Sequence, residues 1–304
     1  MKTVLRALTI LMSLTIIPFA GATEVIIYSS FESGTWDLWM IPPNGSGKKR
    51  ITQTSRDAKA SALSPDGARI AFHDNRGRIL VCGLDGVTTE VLYQPEGFNS
   101  HASWSPDSRS ILHVSRPSPG SESTGCFVSR FDPADAVSPI ILVEPDTAHH
   151  FPSFSPDGLM MVYSRFDPER RDMTARFPLI EEIFTLDIRS GQITQRTRLG
   201  CNSTHPRWSP DGTRIIFSSN AEGSYDLWTL DVANPDAPPR RLTSDPGFEG
   251  FPSWSPDGSR IAFVSSRTGG MEIWIMNANG EEWMPLTQSS EGRDSMEPFW
   301  GRIP

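Results

Sequence analysis

Five times in this chain a large apolar residue is followed by Ser-Pro-Asp and then a small residue. Leu63 precedes Ser64-Pro65-Asp66-Gly67, Trp104 precedes Ser105-Pro106-Asp107-Ser108, and Phe154 precedes Ser155-Pro156-Asp157-Gly158. Trp208 precedes Ser209-Pro210-Asp211-Gly212, and Trp254 precedes Ser255-Pro256-Asp257-Gly258. A degenerate sixth copy ends the chain at Pro298-Phe299-Trp300-Gly301. From Pro65 to Pro256 the motif returns at intervals of 41 to 54 residues. A period of that size marks a repeated supersecondary unit, which constrains the fold more than any compositional total does.

The residues after each motif recur in a fixed order as well. Arg260 to Ser265 is a short apolar run, a Gly-rich turn leads to Glu272 to Met276, Asn279-Gly280 turns again, and Met284-Pro285-Leu286-Thr287 closes the unit. The same order appears at Arg214 to Ser219, Asp226 to Asp231 and Arg241-Leu242-Thr243. Four short runs bounded by turn residues read as four strands. The second is apolar at consecutive positions, as expected when both of its faces are covered by neighbouring sheets. Repeats of this length with four strands each are propeller blades.

The motif itself is turn chemistry. Pro pre-sets φ at the second position of a type I turn, and Asp bonds its own backbone. Gly then takes the left-handed conformation that closes the hairpin. Ser108 holds that place in the second copy, at a cost on the order of 1 kcal/mol. The repeated Asp residues are therefore read as structural rather than as a catalytic ring. The aromatic row of Trp104, Phe154, Trp208, Trp254 and Trp300 suits packing between sheets.

Second-to-fourth-strand sets begin near residues 25, 69, 110, 160, 214 and 260, and the chain closes on a lone first strand at Glu297 to Trp300. The predicted architecture is all-β: a six-bladed β-propeller of four-stranded antiparallel blades, with the first blade closed by the C-terminal strand. The 24 Gly and 26 Pro form no low-complexity tract and fit the many turns this requires.

The aromatic-Ser-Pro-Asp-Gly turn, the Ile261-Ala262-Phe263 strand and the closing Leu-Thr resemble the TolB-like propeller repeat over nearly the whole of residues 23–304. The resemblance is to the propeller half only, because TolB carries an α/β domain ahead of its propeller. It implies a module of cell-envelope assemblies, with an envelope protein or peptide as partner.

Residues 1–22 are read as a secretory signal peptide. Lys2 and Arg6 form a positive start, Ala7 to Phe19 an apolar run broken by Pro18, and Ala20-Gly21-Ala22 a small-residue cleavage site. The run is too short to span a bilayer comfortably, and no later stretch approaches that length. The expected protein is periplasmic or secreted, monomeric and not membrane-inserted. Removing the leader takes away two cations and no acid, which deepens the net charge of −8 and argues against nucleic acid as a partner. Three Cys (Cys82, Cys126, Cys201) match no metal spacing and read as small buried apolar residues, with any disulfide pairing left open.

Candidate function lies on the face shared by the fourth-to-first and second-to-third-strand loops. Two loops exceed the repeat's minimum: Arg116 to Gly125, and Arg165 to Glu181 with Arg165, Arg170, Arg171 and Arg176. Four of the 6 His precede first strands: His101, His149, His150 and His205. Three residues before each aromatic marker stand Ala60, His101, Phe151, His205, Phe251 and Glu297, positions expected at the channel mouth. Imidazoles there are candidate ligand-binding, metal-binding or acid–base groups. His73 and His113 fall within second strands and read as core.

No Gly-x-Ser-x-Gly elbow or His-Glu-x-x-His is present, and Gly45-Ser46-Gly47-Lys48-Lys49 lacks the spacing and context of a phosphate loop. The favoured expectation is a binding scaffold without cofactor, engaging a protein, peptide or glycan at the channel face through the four histidines, the four arginines and Glu297. The alternative is a metal-dependent lyase or hydrolase acting on acidic oligosaccharides. Its divalent transition metal would be held by His101, His150 and His205, a similarity to oligogalacturonate-degrading propeller lyases.

Overall fold

A computed structural model describes residues 22–53, 57–93, 99–116, 123–130, 140–143, 147–171, 179–288 and 293–304. They form six four-stranded antiparallel sheets. Blade two is Ala58–Leu63, Arg69–Asp74, Ile79–Gly83 and Thr88–Tyr93, and blade three is Asn99–Trp104, Ser110–Ser115, Gly125–Arg130 and Ile140–Val143. Blade four is His149–Phe154, Met160–Arg171, Leu179–Asp187 and Ile193–Gln195. Blade five is Ser203–Trp208, Arg214–Ser219, Asp226–Asp231 and Arg240–Arg241, and blade six is Glu249–Trp254, Arg260–Ser265, Glu272–Asn277 and Met284–Pro285. Blade one combines Thr23–Ser30, Asp37–Ile41 and Lys49–Arg50 with the C-terminal Ser295–Ile303.

Ring closure is thus a strand pairing across the whole chain, from Thr23↔Ile303 to Ser30↔Ser295. Trp300 Nε1 and Arg302 Nη2 both donate to the carboxylate of Glu24, each at 3.2 Å. The six first strands neighbour one another in a closed circuit and so line the central channel. The outer edges are short, only two residues in three of the blades, which gives neighbouring chains little to pair with.

Second strands are buried on both faces, as the apolar runs predict: in Arg214–Ser219 and Arg260–Ser265 every residue after the first is buried. The core therefore sits between blades. Ile26, Tyr28 and Trp300 of blade one meet Ala262, Val264 and Ile273 of blade six. The aromatic markers pack there too, and an Arg of the preceding blade covers three of them: Arg69 over Trp104, Arg214 over Trp254 and Arg260 over Trp300, at 4.6 to 4.9 Å.

The Ser-Pro-Asp turns carry the expected chemistry. In each of the five, the Ser hydroxyl donates to the Asp carboxylate, and the same Asp oxygen accepts the N–H two residues on. The Ser255 hydroxyl bond, with the Ser259 bonds, holds Asp257 down to about 2 despite partial burial. Ser108 is left-handed at φ 59°, in the place of glycine, and its Oγ accepts the N–H of Asp66 in blade two.

The closing Leu-Thr has its own role. Thr52, Thr197, Thr243 and Thr287 each donate to an acid that opens a third strand (Asp37, Asp226, Glu272) or lies within it (Glu182), and accept the next backbone N–H.

One expectation is corrected. Residues 165–181 are not simply a long loop. Met160–Arg171 and Leu179–Asp187 run on as a hairpin, pairing Arg165↔Glu182, Phe166↔Glu181 and Arg171↔Leu179. Backbone hydrogen bonding across the blade carries the strands through a polar, Pro-containing sequence that lacks strand alternation. Residues 117–122 of the other long loop lie outside the described residues.

Candidate functional site

Each first strand carries a bulge midway, where pairing with the second strand shifts register. In the bulge one residue per blade adopts a left-handed backbone: Ala60, His101, Phe151, His205, Phe251 and Glu297, with φ between 49° and 56°. These are the six positions that the repeat spacing places at the channel mouth. None is glycine, so each conformation costs on the order of 1 kcal/mol and persists because its neighbours hold it. Pro152, Pro206, Pro252 and Pro298 come directly after four of them. Proline has no N–H to leave unpaired in a bulge.

The left-handed turn brings four of these side chains into one row. The Phe151 ring lies 4.1 Å from His101 and 3.6 Å from His205, and His205 lies 4.1 Å from Phe251. His73 reaches the row at 5.7 Å from His101. Burial, then the neighbouring imidazoles and Arg207, pushes His101 well below the usual histidine range. His205 is lowered likewise by burial, then Arg207 and His150. Both rings are therefore neutral at pH 7. Glu297 stands apart from the row: its Oε2 accepts the N–H of Ala60 at 2.7 Å and the Ser29 hydroxyl at 3.1 Å.

Above the row lies a pocket of about 320 Å³, lined by His101, His150, Phe151, Glu181, Asn202, Thr204, His205 and Tyr225. Glu181, from the extended hairpin, sets its wall. Its Oε1 lies 2.7 Å from Nδ1 of His150, which places the ring's proton on Nδ1, and its Oε2 accepts the Ser164 hydroxyl. Burial pushes the Tyr225 phenol up to about 12, so it stays a donor. Among the described residues, Nδ1 of His205 and Oδ1 of Asn202 have no hydrogen-bond partner although both are buried.

The structure thus brings together His101, His150 and His205 of the expected set. His149 points elsewhere: it is fully buried, held by Thr124 and set against Tyr163. Arg165 lies 5.7 Å over Phe184. Arg170 and Arg171 belong to the hairpin strand, with side chains outside the described residues, and Arg176 lies wholly outside them. Sequence reasoning missed Glu181, Asn202, Thr204 and Tyr225. Asn202 and Thr204 sit beside His205 in the same strand entry and were findable, whereas Glu181 arrives from a strand of blade four and Tyr225 from the connection before Asp226–Asp231.

The three imidazoles are separated from one another. Phe151 stands between His101 and His205, and His150 Nδ1 is committed to Glu181. Among the described residues no group of three or more His, Cys, Asp or Glu is arranged to hold an ion. Cys82, Cys126 and Cys201 are free thiols, the first two buried.

Fold and site together define a six-bladed propeller with a row of four rings at the channel mouth and a polar pocket beside it. The model of the TolB beta propeller domain matches residues 134–301, more than half of the chain, and the protein belongs to that family. It is similar in structure to TolB from Acinetobacter baumannii, at 20% identity and TM-score 0.74 over 91% of this chain and 66% of that one. A protein described as putative TolB from Agrobacterium tumefaciens matches at 18% and 0.73, over 93% of this chain and 99% of that one. An oligogalacturonate lyase in complex with manganese matches at 16% and 0.59, over 88% and 76%. At these identities the likeness is one of fold, and function must be argued from the site.

Proposed function

We propose that this chain is an exported binding propeller that receives a protein, peptide or glycan segment at its channel mouth. The observation that carries the reading is the pocket. It has an aromatic and imidazole floor, a volume of about 320 Å³, and two buried polar atoms, on His205 and Asn202, whose hydrogen-bonding capacity is unused. A floor of apposed rings with a few convergent polar groups is the usual composition of a ligand site. An incoming segment supplies the missing partners, and its apolar part lies on Phe151. The neutral histidines act as hydrogen-bonding groups here. The hairpin beside the pocket extends its wall and carries Arg165, Arg170 and Arg171. Export rests on the signal-like residues 1–22, and makes a cell-envelope component the natural partner of a monomeric propeller.

Photo-crosslinking tests this. Benzoyl-phenylalanine replaces Tyr225 in the pocket or Ala68 on the opposite, turn-bearing face, and each protein is irradiated in an envelope extract. Capture from position 225 and not from 68 is expected. Equal capture from both, or capture from 68 alone, counts against a mouth site.

A further inference from the structure

The pocket at the channel mouth has an acid in its wall and, among the described residues, no Lys or Arg in its lining. That acid, Glu181, is buried, and among the described residues no Lys or Arg comes within salt-bridge distance of it. Its partners are Nδ1 of His150 at 2.7 Å and the Ser164 hydroxyl at 3.2 Å. Burial first, and then the field of Glu181, raises the Tyr225 phenol, so the charge of the acid reaches the tyrosine's side of the pocket. Two further acceptors line the same space. Oδ1 of Asn202 is buried without a partner, and so is Nδ1 of His205, which accepts when the ring carries its proton on Nε2. The rings of Phe151 and Tyr225 also line it, and a cation over such a ring is attracted by its π face. A carboxylate withdrawn from water without a cation is costly unless something else supplies the opposite charge.

We propose that this pocket is an ammonium site, which takes the primary amine of a lysine side chain or of a chain start. The proposal rests on the mouth reading above and adds to it the charge and shape of the group received. Glu181, Asn202 Oδ1 and His205 Nδ1 are three acceptors for the three N–H bonds of an ammonium. A guanidinium fits less well. Its planar fork needs both carboxylate oxygens side by side, and here one is taken by His150 and the other by Ser164, each with room only for a further point donor. An anion would meet Glu181 with no fixed cation in the described lining to offset it: Arg165 stands over Phe184, and Arg207 does not line the pocket.

The test is a titration of the purified protein at pH 7 and constant ionic strength, followed by the histidine Cε1–H signals in NMR. His113 and His149, both buried outside the pocket, serve as references. Nα-acetyl-lysine methylamide should shift the His150 and His205 signals saturably, and its Nε-acetylated counterpart, which lacks the charge, should leave them in place. Glu181→Gln should raise the half-saturating concentration of the lysine probe at least tenfold. If that variant fails to fold, Asn202→Leu removes an acceptor without touching the charge and should raise it about tenfold, the loss of one hydrogen bond to a charged group. No saturable shift with the lysine probe, an equal response to the charged and acetylated probes, tighter binding of Nα-acetyl-arginine methylamide, or an unchanged half-saturation in the folded variants overturns the ammonium site. The mouth reading is scored separately, by crosslinked capture from position 225, so a failure of one is distinguished from a failure of the other. Glycyl-glycinamide then separates the sources: tighter binding than the lysine probe assigns the amine to a chain start, weaker binding to a side chain.

Discussion

Glu249 opens the first strand of blade six with no solvent exposure, its Oε1 accepting the Ser265 hydroxyl at 3.0 Å and its Oε2 unpartnered among the described residues. Burial above all, with Asp226 and Asp245 nearby, pushes its pKa from 4.5 up to about 7. Between those values the folded protein holds a proton that the unfolded chain releases, so stability falls as pH rises through the window. Glu249→Gln should flatten that fall and raise stability at pH 8 by up to roughly 3 kcal/mol, read from denaturant midpoints at pH 5 and pH 8. An unchanged difference between the two pH values would show that this carboxyl is ionised in the fold. Thr243 makes the opposite case, a polar side chain fully used. Its hydroxyl accepts the Leu227 N–H at 2.9 Å and donates to Asp226 at 3.2 Å, all within the core. Thr243→Val leaves that N–H without an acceptor and should cost about 1–3 kcal/mol, measured by chemical denaturation.

Among the elements, the turns of blades two and four separate conformational strain from close approach. Gly67 and Gly158 have the same left-handed φ, 72° and 71°. A methyl on Gly67 would lie 2.4 Å from the carbonyl oxygen of Arg302, whereas one on Gly158 would meet only the Pro106 ring at 3.4 Å. Gly158→Ala should therefore cost about 1 kcal/mol, the left-handed penalty alone. Gly67→Ala should cost clearly more, because backbone of the closing strand cannot yield as a side chain can. Equal losses in thermal melts would mean that the C-terminal strand gives way. The hairpin of blade four is the element least legible beforehand. Its polar run through Pro168 looks like loop, and only pairing between Arg165 and Glu182 and beyond identifies it as strand.

At the scale of the whole molecule, closure is the decisive contact. Thr23–Ser30 has six successive buried residues and is shielded on one side only by Ser295–Ile303. Deleting residues 295–304 removes Trp300 from the blade-six interface and exposes an apolar strand edge. The shortened protein should lose its single cooperative melting transition and elute as aggregate in size-exclusion chromatography. A monomer with an unchanged melt would refute closure by this strand.

The blade count, the turn chemistry and the equivalence of the six positions three before each marker could be read from the sequence, because each recurs at a fixed period; their left-handed backbone could not. Five Ser-Pro-Asp copies and a degenerate sixth at Trp300 report one another's register, so Ala60, His101, Phe151, His205, Phe251 and Glu297 align without any knowledge of depth. Tertiary structure alone decided which of those residues meet. Phe151 is inserted between His101 and His205, Glu297 is drawn aside to Ala60, and Glu181 and Tyr225 arrive at the pocket from different blades. Such encounters depend on how each blade is rotated about the channel axis, a quantity set by packing between second strands, and no local spacing within a repeat encodes it.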